Sequence, residues 1–339
     1  MKLGFDATYT LDPEPTGVAV YSREMLSGIA RINPTGDISA YYRLHRFRRS
    51  LNESLPNNVH RRVLVDSFAP RTDIFHGLNQ RLPRKKKGRF IATFHDLFVM
   101  SGEYSTQEFR ERFTLLAKEA AERADLIIAV SQFTANQVRD LLGVEETRIR
   151  IVHHGIHAVS SASSPERIIL HTGAIQKRKN LLRLVQAFEA TQPGWKLILA
   201  GGSGYGSEEI LEYIHKSPRQ EDIEVTGYVS PQQLNQLYQR AGIFAFPSLD
   251  EGFGIPILEA MRMGVPVITS NRSATAEVAG DAALLVDPFD TQEIAKALQQ
   301  LMDSDERRKH FRLLGMERLK NFSWDKAVHK TNEIYRELL

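Results

Sequence analysis

Short apolar runs alternate with longer amphipathic stretches along almost the whole chain. Runs at 2–6, 73–76, 90–95, 125–130 and 148–153 read as strands, and after a break so do 168–172, 196–200, 224–226, 243–246, 266–269 and 283–286. Between them, stretches such as 18–31, 106–123, 180–190, 231–240 and 291–302 carry apolar residues at the three- and four-residue spacing of a buried helix face. Strands this short, alternating with helices, build parallel sheets covered on both sides. Eleven strands exceed one compact doubly wound sheet, so two α/β domains are expected.

The break is the segment HAVSSASSPE, His157 to Glu166, which is rich in serine and alanine and has no apolar period. It sets an N-terminal domain at 1–157 and a C-terminal domain at 158–321. A final segment follows at 322–339, opening Phe322-Ser323-Trp324-Asp325 and ending in a helix from Ala327 to Leu339. At 339 residues the chain is long enough for two domains of ordinary size.

Composition removes several chemistries. The chain has no cysteine, which excludes disulfides, thiolate metal sites and a cysteine nucleophile. The start Met1-Lys2-Leu3-Gly4-Phe5-Asp6 meets an acid at once, unlike a signal peptide. No run approaches the ~18 apolar residues that a membrane span needs. A cytoplasmic protein is the expectation, with peripheral contact to the inner membrane face left open. The net charge of +3 is unevenly placed, with 16 Lys/Arg against 9 Asp/Glu in residues 1–100. The excess gathers at Arg43, Arg46, Arg48, Arg49, Arg61, Arg62 and the run RLPRKKKGR, Arg81 to Arg89. That run reads as a solvated loop or as a seat for an anionic surface, either inner-leaflet lipid or a phosphate-bearing acceptor. No aromatic residues interleave with it and no nucleic-acid motif accompanies it, so nucleic acid is not an expected partner.

The most informative stretch is FPSLDEGFGIPILEAM, Phe246 to Met261. A buried strand runs into a turn with Gly252 and Gly254, then into a helix beginning near Pro256, where a missing N–H costs nothing. The N–H groups of Phe253, Gly254 and Ile255 would face outward at the positive end of that helix, which suits a phosphate. Glu251 precedes the helix and Glu259 is placed in its first turn. Amides for a diphosphate and carboxylates for sugar hydroxyls fit a nucleotide sugar. A structural reading has both glutamates serving only the helix end.

These residues resemble the paired-glutamate motif (Glu, seven residues, Glu) of the retaining glycosyltransferases of family 4, which have the two-domain GT-B fold. The resemblance covers nearly the whole chain and is strongest from Ile168 to Pro288 and in the C-terminal helix. Gly252-Phe253-Gly254 between the glutamates and MRMGVPVIT, Met261 to Thr269, strengthen it. It implies two Rossmann-like domains facing a cleft, with the last helix crossing back to the first domain. It also implies metal-independent, cofactor-free, retaining transfer of a hexose from a nucleotide-sugar donor to a hydroxyl of a glycan or lipid-linked acceptor in polysaccharide biosynthesis. The chain looks like bacterial mannosyltransferases of surface-polysaccharide assembly, which points to GDP-mannose; a UDP-hexose stays open. A GT-B-fold sugar-nucleotide epimerase or hydrolase, or a non-catalytic nucleotide-sugar binder, are the competing classes.

The remaining candidates sit at the carboxyl ends of predicted strands, where open parallel sheets bind ligands. Gly173 to Asn180, GAIQKRKN, sets Arg178 and Lys179 near a helix start, where cations oppose the dipole and call for an anion. The resemblance makes them the groups that hold the donor diphosphate, with Gly173 beside them. Ala174 departs from the arginine that many relatives carry there. Gly17, after the first strand, permits close backbone approach to a ligand and reads equally as a helix-start turn. His95 ends a strand before Asp96 and resembles the family's histidine that contacts the reacting sugar. Gly201-Gly202-Ser203-Gly204 reads as well as a tight turn as a phosphate loop. His153-His154 lacks further ligands at zinc spacing, and Ser131 reads as a helix cap rather than a nucleophile.

Overall fold

The computed structural model describes residues 1–12, 16–157 and 165–339. Residue 15, which precedes the Gly17 loop, and all of the expected linker but its ends lie outside the described residues. The first sheet holds β1 (Lys2–Asp6), β2 (Asp37–Arg43), β3 (Val59–Leu64), β4 (Ile74–Gly77), β5 (Arg89–Phe94), β6 (Leu126–Ala129) and β7 (Ile149–Ile151), in the order β3-β2-β1-β4-β5-β6-β7. The second holds β8 (Ile168–Thr172), β9 (Lys196–Ala200), β10 (Ile223–Gly227), β11 (Ile243–Phe246), β12 (Val267–Ser270) and β13 (Ala283–Val286), in the order β10-β9-β8-β11-β12-β13. Neighbouring strands are parallel in both, as between β1 and β4 or β8 and β11. In each sheet the winding reverses once, between β1 and β4 and between β8 and β11. Such reversals open the crevice in which doubly wound sheets bind ligands.

The helices of the first sheet are α1 (Gly17–Ile32), α2 (Leu44–Ser50), α3 (Phe98–Ser101), α4 (Gln107–Arg123) and α5 (Gln132–Leu142). Those of the second are α6 (Leu181–Glu189), α7 (Ser207–His215), α8 (Pro231–Arg240), α9 (Ile255–Arg262), α10 (Ser273–Ala279), α11 (Thr291–Asp303) and α12 (Asp305–Leu319), and α13 (Trp324–Glu337) ends the chain. The backbone divides into two compact units: Met1–Ser101, Gln107–Gly155 and Phe322–Leu339 in one, Gly102–Thr106 and Ile156–Asn321 in the other.

The sequence pattern misses β2 and β3. β2 begins and ends on charges, Asp37 and Arg43, and β3 is an edge strand whose His60, Arg61 and Arg62 interrupt any apolar run. Charged side chains on an edge strand block pairing with a further chain. Part of the basic surplus in residues 1–100 is thus edge-strand chemistry.

The first sheet is covered on both faces. On one, Tyr21, Met25 and Ile29 of α1 and Val328, Ile334 and Tyr335 of α13 pack with Phe5, Ile38 and Ile74. On the other, Phe75, Phe90 and Phe94 meet Ala117, Ala120 and Ala121 of α4 and Val138 of α5. The last helix is therefore part of the first unit's core. Ser323 caps it by accepting from the Lys326 N–H at 3.2 Å. Two glycines let it approach. A Cβ on Gly28 would lie 2.3 Å from Val328 Cγ2, and one on Gly155 would lie 2.1 Å from the Trp324 backbone nitrogen.

Filling either position should loosen α13. Gly155→Val meets backbone that cannot yield, and overpacking of this kind costs about 1–3 kcal/mol. The expected result is a lowered Tm and faster proteolytic release of residues 322–339; unchanged melting and cleavage would contradict the packing role assigned to these glycines.

Candidate active site

The second unit gathers most of the singled-out residues at its winding reversal. After β8 the chain passes Gly173 and makes a 3-10 turn, Lys177–Lys179, before α6. Asn180 joins the two with φ 60°, a left-handed conformation that asparagine tolerates better than most residues. Its side-chain amide donates to the carbonyls of Pro247 at 3.1 Å and Pro288 at 2.6 Å. One side chain thus ties together the loops that follow β8, β11 and β13. The Leu249 N–H donates to the Arg178 carbonyl at 2.9 Å, and the Arg178 guanidinium donates to the Asp250 carbonyl at 2.5 Å.

These ties bring three charges together. Glu251 Oε2 lies 2.7 Å from Arg178 Nη1 and Oε1 lies 2.6 Å from Lys179 Nζ, with all three side chains about one-tenth exposed or less. Sequence reasoning asks for an anion beside the two cations, and a carboxylate of the chain itself takes that place. Burial would raise the Glu251 pKa; the charges of Arg178 and Lys179 and their hydrogen bonds outweigh it and hold it at about 2. Lys179 Nζ also stands 4.5 Å from the centre of the Phe246 ring, which stacks on His171 at 5.4 Å. Gly173 has a φ of 122°, a conformation that favours glycine.

The turn and α9 differ from expectation in one respect. The helix begins at Ile255, with Gly254 as its N-cap at φ 113° and Pro256 as its second residue. Glu259 is therefore the fifth helical residue and lies in the second turn, not the first. Gly254 has no side chain with which to cap the end, and Gly252, Phe253 and Gly254 are buried while Ile255 is half-buried. Glu259 is held from another element: the Tyr238 hydroxyl of α8 donates to its Oε2 at 3.0 Å. Burial raises the Glu259 pKa, opposed by Tyr238 and Arg262. The sequence offered no signal for Tyr238 beyond its place on an amphipathic helix. In the sequence Asn180 reads only as a helix boundary and Phe246 only as a core residue.

Gly201 is explained by packing rather than ligand approach, because a Cβ there would stand 2.0 Å from the Gly173 carbonyl oxygen.

His95 and Gly17 lie in the first unit. Gly17 is the first residue of α1, after Thr16, whose hydroxyl accepts from the Ala19 N–H at 3.2 Å. His95 follows β5 and is buried; its Nε2 donates to the Leu78 carbonyl at 2.9 Å, which leaves Nδ1 unprotonated. Its ring stacks on His154 at 5.3 Å and meets the edge of Tyr21 at 4.8 Å. Burial lowers its pKa to about 4, with the Leu78 contact opposing. His76, lowered to about 3 by burial, bridges Tyr335 at 2.6 Å and Thr93 at 2.8 Å. Ser131 caps α5 by accepting from the Thr134 N–H. In the basic run, Lys86 pairs with Asp125 at 2.7 Å and Arg89 with the same carboxylate at 3.2 Å, and these two are exposed along with Arg84, Lys85 and Lys87.

Residues 155–315 match the family described as Glycosyl transferases group 1, and residues 17–159 match Glycosyltransferase Family 4. O-antigen chain mannosyltransferase B of Escherichia coli is 31% identical over 284 residues, covering 78% of this chain and 74% of that protein. Serotype-specific mannosyltransferase WbdA of Escherichia coli is 27% identical over 277 residues, covering 74% of this chain but only 33% of that longer protein. Among solved structures, sucrose-phosphate synthase from Thermosynechococcus elongatus superposes with a TM-score of 0.80 at 20% identity, covering 100% of this chain and 99% of that one.

Two pH dependences follow. A carboxyl with its pKa at about 2 in the folded state contributes stability that is present above its unfolded value, near 4.5, and lost as pH falls toward 2. The stability gap between the wild type and Glu251→Gln should therefore shrink between pH 5 and pH 2; a constant gap in denaturant titrations would contradict the ion cluster. His76 and His95 have lowered values, so the unfolded chain binds more protons below about pH 6.5. Their contribution is present above pH 6.5 and falls as the pH drops toward 4. His95→Gln should flatten that slope, and an unaltered slope would show that His95 is not held neutral.

Proposed function

The chain belongs to glycosyltransferase family 4 and has the GT-B fold, and on that premise we propose that it transfers mannose from GDP-mannose, with retention and without a metal, to a hydroxyl of a glycan or lipid-linked acceptor in polysaccharide biosynthesis. The observation that carries the reading is the meeting of Arg178, Lys179 and Glu251 at the winding reversal of the second sheet. Two cations are fixed in a buried place at the carboxyl end of the strands. A donor diphosphate is the kind of anion that such a pair would hold. As the glycosidic bond breaks, charge grows on the leaving phosphate, and fixed cations in a dry site stabilise that growth as a metal does elsewhere. Glu251, engaged by both cations, can turn its oxygens to the hydroxyls of the transferred hexose. Glu259 takes ribose hydroxyls, and the buried helix start at Gly252 to Ile255 faces the phosphates. The departing phosphate oxygen accepts the acceptor's proton in a front-face attack, so the protein's part is positioning and charge stabilisation. The choice of mannose leans on the Escherichia coli relatives, which are mannosyltransferases.

Product analysis with GDP-mannose and UDP-hexoses, with and without acceptor, tests the reading. Mannosyl transfer that survives EDTA, with the anomeric configuration kept, is expected. Free sugar alone, an isomerised nucleotide sugar, or activity restored only by Mg2+ or Mn2+ would overturn it. Lys179→Ala should lower kcat about a hundredfold, the scale of losing one transition-state charge stabiliser. Glu251→Ala should lower turnover and also erase the advantage of the sugar nucleotide over the bare nucleotide. A variant that melts earlier yet turns over at the wild-type rate would reduce these residues to a structural role.

The exposed Arg84, Lys85 and Lys87 support contact with an anionic membrane surface or lipid-phosphate acceptor. Each basic residue near such a surface contributes about 1 kcal/mol, screened by salt. Arg84, Lys85 and Lys87→Ala should weaken salt-sensitive binding to phosphatidylserine vesicles; unchanged binding would refute it.

A further inference from the structure

A line of three side chains in the second unit runs from β8 to α9. Thr172, the last residue of β8, has its hydroxyl 2.9 Å from the Tyr238 hydroxyl, and Tyr238 lies 3.0 Å from Glu259 Oε2. The direction of the line is fixed by inventory. A carboxylate only accepts, so the single phenolic proton goes to Glu259, and Thr172 must donate to the tyrosine oxygen. Packing alone does not ask for a tyrosine here. Its ring is 2% exposed and lies against Phe244, which a phenylalanine would satisfy equally. A buried hydroxyl is costly unless both its roles are met, and here they are met by one strand end and one carboxylate. Tyr238 occupies Oε2, and among the described residues no donor reaches Oε1. Thr172 adjoins Gly173, beside Lys179, so the line references Glu259 to the strand end that carries the cations.

We propose that Tyr238, anchored by Thr172, is a positioning residue that fixes the Glu259 carboxylate for capture of the ribose hydroxyls of the donor nucleotide. This rests on the assignment of Glu259 to the ribose. Rotating a carboxylate on a flexible stem loses much of a bidentate grip, so fixing one oxygen prepares the other for the ligand. The line also acts on protonation. The groups facing Glu259 are Tyr238 from α8 and Arg262 from its own helix; both oppose the upward push of burial on its pKa. Without the tyrosine donor the carboxyl takes up its proton at higher pH and ceases to be a pure acceptor.

The test is calorimetric titration with GDP and UDP and with their 2′-deoxy and 3′-deoxy analogues, from pH 5 to 8, on wild type, Tyr238→Phe, Thr172→Val and Glu259→Gln. Tyr238→Phe should weaken ribonucleotide binding about tenfold, the scale of a hydrogen bond to a charged group, and leave the deoxy analogues nearly unchanged. The pH at which ribonucleotide affinity fades should rise, and Thr172→Val should fall between Tyr238→Phe and wild type. Loss of ribose preference in Glu259→Gln with none in Tyr238→Phe would overturn the inference and spare the ribose assignment. Equal weakening of ribo and deoxy forms in Tyr238→Phe would also overturn it, as a merely structural effect. Full ribose preference in Glu259→Gln would sink the ribose assignment itself.

Discussion

The buried contact of Glu251 with Arg178 and Lys179 is the constraint around which the second unit is arranged. Three charges with so little exposure are tolerable only when each is paired and held. Removing one partner of a buried pair typically costs about 3–5 kcal/mol. The arrangement therefore demands loops of fixed shape, which explains the left-handed Asn180 and its two amide bonds to the loops after β11 and β13. The same requirement explains the backbone tie between Leu249 and Arg178. The cluster thus holds two cations in fixed positions at the carboxyl end of the second sheet, a suitable place for a polyanionic ligand.

The first unit holds its buried His76 and His95 neutral, not paired as ions, while its buried Asp6 pairs with Arg43 at 3.1 Å. His76 sits in a hydrogen-bonded line from Tyr335 of α13 through Thr93 to Tyr21 of α1, and His95 and His154 stack beside it. Neutral imidazoles can be packed against aromatic rings without counterions. They keep lone pairs for polar partners such as hydroxyls, as His95 Nδ1 does. The unit's last helix is part of this line, so the chain's end helps set the environment of the residues near β5.

Much of this was legible in the sequence. The alternation of apolar runs and amphipathic stretches carried the two parallel sheets, because strands buried on both faces cannot hide among polar residues. β2 and β3 escaped because an edge strand can carry Arg61 and Arg62 outward. Glu251, Arg178 and Lys179 were found from their positions after strands and from a family resemblance, but their mutual contact was not, since 72 residues separate Lys179 from Glu251. Glu259 was placed a turn too early because proline was read as the first helical residue, whereas Gly254, with its positive φ, sets the boundary at Ile255. Tyr238 was invisible because a hydroxyl's partner across the fold leaves no mark on local periodicity.

The most direct measurement of the central claim is a crystal structure with the nucleoside diphosphate that most raises the protein's melting temperature. Diphosphate oxygens are expected within hydrogen-bonding distance of Arg178 and Lys179, with Glu251 partly released from them. A diphosphate bound elsewhere, with Glu251 still closed on both cations, would contradict it.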